Sequence, residues 1–425
     1  MNAIAQEKRE FLSLEEAIEK SQQQNKAIQL AKMDENIASS HLKQTDAIYL
    51  PQVGFSYTAI TTNNPLNAFG FKLQQQSITG ADFNPDLLNH PKNTPDFSTK
   101  IEVIQPILNM DLIYQKKAAE KRNTVYQYQT QRTKEHIRFE VQKAYLQLGL
   151  VYASLKVLEE ALSTSKSVQA FTENRFKQGL IQKSDLLNSE LQVRSIETNL
   201  EKTKGNINNV SDFLSLLMGQ NTGTVYSVSP IITQKPTIIE TPSVIQENRA
   251  DFMAMKKIIE ASELGIEANK KSYLPKLNAF GSYQLNDPKM FGFGANAYLA
   301  GIQLSWDIFK GNRTKNNISS QVLEKNKMST QLEQQKEQGQ LELNKAFREL
   351  QQAKFELLQQ EKAVEQATES LRIVENRYQQ GLVNTTDVLM ASTQLAQQKL
   401  SFVQAVYNRN SSIAQIEYLT TTSNK

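Results

Sequence analysis

Two stretches of the chain step between apolar positions by four and three residues. Ile137, Val141, Ala144, Leu148, Val151, Leu155, Leu158 and Leu162 make the first. Leu343, Ala346, Leu350, Ala353, Leu357, Val364, Ala367, Leu371 and Val374 make the second, which misses only at Gln360. That spacing marks a coiled-coil seam along one side of a helix. Both seams lie in proline-free stretches rich in Gln, Lys, Glu, Leu and Ala, and they predict helices over Asp111–Gln178 and Gly311–Gln380. Each would run about 100 Å at 1.5 Å per residue. A helix that long with one narrow apolar seam needs neighbours along its whole length, and identical copies in a ring can supply them.

Elsewhere the period drops to two. Strands are expected over Gln52–Ile60, Ser98–Ile107, Lys276–Leu285 and Ala295–Ile308. Val53, Phe55 and Tyr57 alternate with smaller or polar residues, Leu277, Ala279, Gly281 and Tyr283 do so less cleanly, and Ile302, Leu304, Trp306 and Ile308 oppose Gln303, Ser305 and Asp307. Strands of this length can cross a tilted path through a bilayer. The same alternation also fits a small soluble sheet capping a helical bundle. Four strands cannot close a membrane barrel, since the smallest use about eight, so a spanning sheet would have to be shared among several chains.

The two halves repeat one another. "ENRFKQGLIQKSDLLNSELQV" from Glu173 and "ENRYQQGLVNTTDVLMASTQL" from Glu375 are identical at nine of twenty-one positions, and the offset of 202 residues (377 − 175) also superposes the two seams. "YLPQVGFSY" at Tyr49 pairs with "YLPKLNAFGSY" at Tyr273, and "IEVIQPILN" at Ile101 with "IQLSWDIFK" at Ile302. Each half reads helix, strand, hairpin loop, strand, long helix, turn, helix. The expected boundaries are 11–219 for the first repeat, with turn 178–184, and 244–419 for the second, with turn 380–386. A proline-containing linker (220–243) joins them and a tail (420–425) follows. The first hairpin carries an insert over 61–97, rich in Asn, Pro and Gly, expected as an exposed loop.

Composition removes several classes of chemistry. With no cysteine there is no disulfide, thiol catalysis or cysteine-ligated zinc. The three histidines, His41, His90 and His136, stand in unrelated contexts, so no metal site is expected. A net charge of +4 on 425 residues gives no electrostatic footprint for nucleic acid. No long apolar run suggests a transmembrane helix, and "MNAIAQEKREFLSLEEAIEK" has no apolar core of a secretory signal. "FGFGANA" at Phe291 contains a formal G-x-G-x-x-A, but a strand follows it where a dinucleotide site needs a helix, so it reads as a glycine-rich hairpin turn. No catalytic motif appears, and the chain is not expected to be an enzyme or to carry a cofactor.

The repeated turns remain. Gly179 and Gly381 suit left-handed helix ends, Gln182–Ser184 and Asn384–Thr386 offer polar starts for the next helices, and Asp185 and Asp387 then fall in a helical first turn. Taken with the "YLP" strand starts and the duplicated helix–strand–strand–helix plan, these R-[FY]-x-x-G-x-x-x-x-x-D turns make the chain resemble TolC-type outer-membrane efflux proteins, from about Leu12 to Leu419.

The resemblance implies a mainly α protein with β: long coiled-coil hairpins plus four membrane strands per chain, trimerising into a twelve-stranded β-barrel and a twelve-helix α-barrel. It implies a passive exit duct in the outer membrane of a Gram-negative bacterium, serving drug efflux or type I secretion. Its partners would be two further copies, outer-membrane lipid, a periplasmic adaptor and an inner-membrane pump. In the family these turns form the periplasmic tip. Gln178, Gly179 and Leu180, with Gln380, Gly381 and Leu382, match adaptor-docking positions; Asp387, Tyr378, Arg377, Arg175 and Asp185 match the gate region. The chain departs from the family pattern at Met390, where a second carboxylate is expected, and at Val383, where a basic residue is expected. The rival reading is a soluble coiled-coil scaffold or a periplasmic adaptor.

Overall fold

A computed structural model describes residues 9–231 and 244–422; the rest of the expected linker and tail lies outside the described residues. In chain order the elements are β1 (Arg9–Phe11), α1 (Leu14–Gln24), α2 (Lys26–Gln44), β2 (Gln52–Thr62), α3 (Pro65–Gln74), α4 (Pro85–Asn89) and β3 (Thr94–Leu108). Then come α5 (Met110–Lys177), α6 (Lys183–Met218), β4 (Val225–Ser227), α7 (Ala250–Lys271), β5 (Lys276–Asp287), β6 (Ala295–Ser305), α8 (Arg313–Gln379) and α9 (Thr385–Thr420). The long helices α5 and α8 hold 68 and 67 residues, within two residues of the bounds read from the seams. They divide between two compact units, one of residues 1–35, 126–254 and 331–425, the other of 36–125 and 255–330.

The first unit is helical. Its core contains the first seam: Val141 and Leu148 are fully buried and pack with Leu12, Ala17, Leu214 and Tyr226. The second seam does the same work around Leu343, Ala346 and Leu350, which meet Phe252, Ile413 and Ile416. Burying one such aliphatic side chain contributes about 1.5–3 kcal/mol, and here the chain's own halves do the burying. A short parallel pairing of β1 with β4, the latter in the proline-containing segment, was not legible as a strand pattern. Tyr152 fixes β4 by donating its hydroxyl to the Tyr226 carbonyl at 2.8 Å.

The second unit is built on one antiparallel sheet ordered β2-β3-β5-β6. Its register sorts the side chains into two faces. Val53, Phe55 and Tyr57 pair with Val103, Ile101 and Thr99; these pair with Gly281, Tyr283 and Leu285, and those with Ala300, Tyr298 and Asn296. With Ile302 and Leu304 this makes one continuous apolar face, its large side chains mostly exposed. The other face carries Ser56, Ser98, Lys100, Glu102, Ser282, Gln284, Asn286 and Gln303, interrupted by Ile104, Phe280 and Leu299. Phe280 lies over Gly301, where an added Cβ would come within 3.0 Å of the ring. The outer edges of β2 and β6 pair with no strand among the described residues.

Two expectations need correction. The fourth strand stops at Ser305, not Ile308; Trp306 beyond it donates its indole N–H to the Tyr273 carbonyl at 2.9 Å. The insert is not merely a loop, because two Asn-Pro steps start helices there: Asn64 and Asn84 cap α3 and α4, each with Pro in the first turn. Helix α3 packs on the polar face at its hairpin end. Gln75 donates to the Pro95 carbonyl at 2.8 Å and to Asp96 at 2.9 Å, and Asn286 donates to the other Asp96 oxygen at 2.9 Å. The glycine-rich turn between β5 and β6 is as expected, its amides at Lys289 and Gly294 donating to Asp287.

Candidate functional site: the paired helical turns

Both repeated turns have one backbone solution. Gly179 adopts φ 74° and Gly381 φ 77°, the left-handed conformation that costs an L side chain about 1 kcal/mol or more. At the first, Leu180 N–H bonds the Arg175 carbonyl at 3.0 Å and Gly179 N–H the Phe176 carbonyl at 2.9 Å; at the second, Leu382 bonds Arg377 at 2.9 Å and Gly381 bonds Tyr378 at 3.0 Å. These pairs satisfy the last carbonyls of α5 and α8 in the Schellman arrangement. The next residues, Leu180 and Leu382, are thrust out and stand 64% and 69% exposed. Gln178 and Gln380 beside them are also exposed.

The aspartates of the motif begin the returning helices. Asp387 accepts from the Asn384 backbone N–H at 3.2 Å while Asn384 accepts from the Asp387 N–H at 2.9 Å, a reciprocal capping box for α9. Asp185 accepts from the Gln182 N–H at 3.2 Å at the start of α6. Both fall in the first turn, as expected, Asp387 exposed and Asp185 half-buried. Nearby, burial alone pushes the Glu375 carboxyl above its usual 4.5.

The turns also touch one another. Tyr378 is buried, and its hydroxyl lies 3.0 Å from the Thr172 hydroxyl on α5 and 2.9 Å from the Thr385 hydroxyl on α9. Its ring meets Phe171 edge-on at 5.0 Å, and the Arg175 guanidinium lies over both rings, at 5.0 Å from Phe171 and 5.5 Å from Tyr378. Arg377, by contrast, is exposed. Of the residues matched to a gate, the structure thus brings Arg175 and Tyr378 together and sets Arg377, Asp185 and Asp387 apart from them. Thr172 is not among the residues the sequence singles out, and Thr385 is read there only as part of the polar start of α9; a threonine on the buried side of an otherwise apolar seam was the available signal for Thr172. Val383 packs beside this cluster with Val388 and Leu389, and Met390 is exposed. Among the described residues no group of three or more His, Cys, Asp or Glu could hold a metal ion, and no helix is long and apolar enough to cross a membrane.

The model of a family described as outer membrane efflux protein matches residues 17–220 and 241–421, nearly the whole chain. The chain belongs to that family. No curated protein matches it. Among solved structures it is similar to the channel CusC, at 17% identity and TM-score 0.83, over 100% of this chain and 95% of that one. The outer-membrane protein VceC of Vibrio cholerae aligns at 18% identity and TM-score 0.78, over 97% of both chains. The CmeC outer-membrane channel of Campylobacter jejuni aligns at 15% and 0.79, over 96% of this chain and 85% of that one. Members of the outer membrane efflux protein family are channels and not enzymes, and they reside in the outer membrane of Gram-negative bacteria, extending into the periplasm.

Proposed function

We propose that three copies of this chain form a passive exit duct of a tripartite efflux or type I secretion system. One observation carries the reading: a four-stranded sheet with one apolar face, one polar face and two open edges. An open edge leaves a row of backbone donors and acceptors that cannot be satisfied in hydrocarbon, so the sheet needs neighbours to close it. Joining β6 of one copy to β2 of the next gives twelve strands from three copies and buries every edge. Exposed Leu341, Phe355 and Leu358 on α8 call for neighbours in the helical unit too.

In this reading Leu180 and Leu382 are apolar knobs that dock a periplasmic adaptor, which links the duct to an inner-membrane pump. Asp387, exposed at the start of α9, is the gate carboxylate; three of them around one opening would attract cations. Arg175 and Tyr378 brace the gate from within each copy. The test is single-channel recording in a planar bilayer, with the mass of the detergent-solubilised particle measured in parallel. A trimeric particle with discrete conductance supports the duct, and a chain that stays monomeric and soluble without detergent rules it out.

A further inference from the structure

The internal repeat supplies a template for a contact that one chain leaves unfilled. Arg175 covers the rings of Phe171 and Tyr378, and its Nη2 stands 3.1 Å from where a Cβ on Gly381 would be. Shifting each position by the 202-residue offset gives a second set: Arg377 for Arg175, Ile373 for Phe171, Phe176 for Tyr378 and Gly179 for Gly381. Within one chain this second set is not assembled. Arg377 and Ile373 are exposed on α8, and nothing lies within 4 Å of the Cβ direction of Gly179.

We infer that a second copy of this chain completes the set: Arg377 and Ile373 of one copy pack on Phe176 and Gly179 of the next. The inference rests on the trimeric reading above and adds to it the residues of the seam between copies. A cation over an aromatic ring is attractive, and the bare glycine leaves room for the guanidinium as Gly381 does for Arg175. The two kinds of seam are unequal. Within a chain, Tyr378 ties Thr172 and Thr385 by hydroxyls; between chains the corresponding Phe176 and Lys183 have none, and Val374, the repeat-mate of Thr172, packs on its own chain's cluster. Lys183 also adds positive charge near Arg377. The seam between copies is therefore the weaker one, and it parts first when the ring of turns widens.

The chain is free of cysteine, so introduced pairs report cleanly. Full-length protein carrying F176C with R377C, treated with a short bifunctional thiol reagent, should give covalent dimers and trimers on a denaturing gel. The matching pair R175C with Y378C should link within one chain and leave monomers only. A particle that is trimeric by mass yet gives no products between chains from the first pair overturns the seam and leaves the duct standing. A particle that is monomeric overturns both. The double variant F176Y/K183T transplants the Tyr378–Thr385 pair of the hydroxyl latch and should raise the temperature at which the trimer dissociates by a few degrees. No rise overturns the claim that this seam is the weaker.

Discussion

Tyr378 and Thr172, 206 residues apart in the chain, meet hydroxyl to hydroxyl at 3.0 Å in a buried cluster that holds the two repeated turns side by side. Tyr378→Phe keeps the ring and removes the bonds to Thr172 and Thr385, so it should destabilise the helical unit by roughly 1–2 kcal/mol. Thermal unfolding followed by circular dichroism reads this. If the contact is specific, Tyr378→Phe and Thr172→Val should be non-additive in a double-mutant cycle, with a coupling of about 0.5 kcal/mol or more.

The two glycines should respond unequally to alanine. Within one chain the methyl added at Gly179 enters open space and meets only the backbone penalty of the left-handed conformation, about 1 kcal/mol, so any further cost there comes from the weaker seam between copies. At Gly381 the same penalty applies and the methyl also presses on Arg175 at 3.1 Å. Gly381→Ala should therefore lower the unfolding midpoint more than Gly179→Ala; the reverse order would count against the asymmetric packing.

Asp387 serves α9 as a cap and is proposed to serve the duct as a gate charge. Asp387→Ala should cost about 1 kcal/mol through the cap and also weaken block of conductance by divalent cations. Unchanged block, with the stability loss still present, would confine Asp387 to the capping role.

Acid should loosen the helical unit through Asp251. Burial pushes this carboxyl up, but the paired hydrogen bonds from Arg249, at 2.7 and 2.6 Å, and the charges of Arg249 and Arg132 outweigh it and leave the group below its usual 3.8. A depressed carboxylate contributes stability that is present above the unfolded value and lost as pH falls through the folded one. The melting temperature should thus begin to lose this contribution as pH drops below about 3.8. Asp251→Asn should melt lower at neutral pH and show a shallower fall in acid.

Helix α3 should come away from the sheet when its polar anchor is cut. Gln75→Ala removes the bonds to Pro95 and Asp96 and leaves buried Asp96 one donor short, a cost of roughly 1–3 kcal/mol. Limited proteolysis should then cut within 63–93 faster than in the unaltered protein, while the strands stay protected.

The elements that repeat in sequence were legible because periodicity is a local property. The seams of α5 and α8 gave helix bounds within two residues, and Gly179 and Gly381 gave the turns, since few other residues fit a left-handed helix end. The insert misled because its composition suits a loop, while two Asn-Pro steps act over single turns of chain that bulk composition does not register. The role of Tyr378 was hidden for a different reason. Its partners lie on α5 and α9, and no spacing along the chain says which helices will be neighbours.

The sequence by itself determined a duplicated chain of long helices and four alternating strands, because each of those depends on residues within a few turns of one another. Only the tertiary structure decided that the four alternations fall in step. A slip of one residue in any register would have sent that strand's apolar side chains to the polar face. The tertiary structure likewise decided that Arg175 is half-buried over Tyr378 while its repeat-mate Arg377 stands in the open. Two related motifs were given different surroundings, since one chain can place only one of them against its own second half.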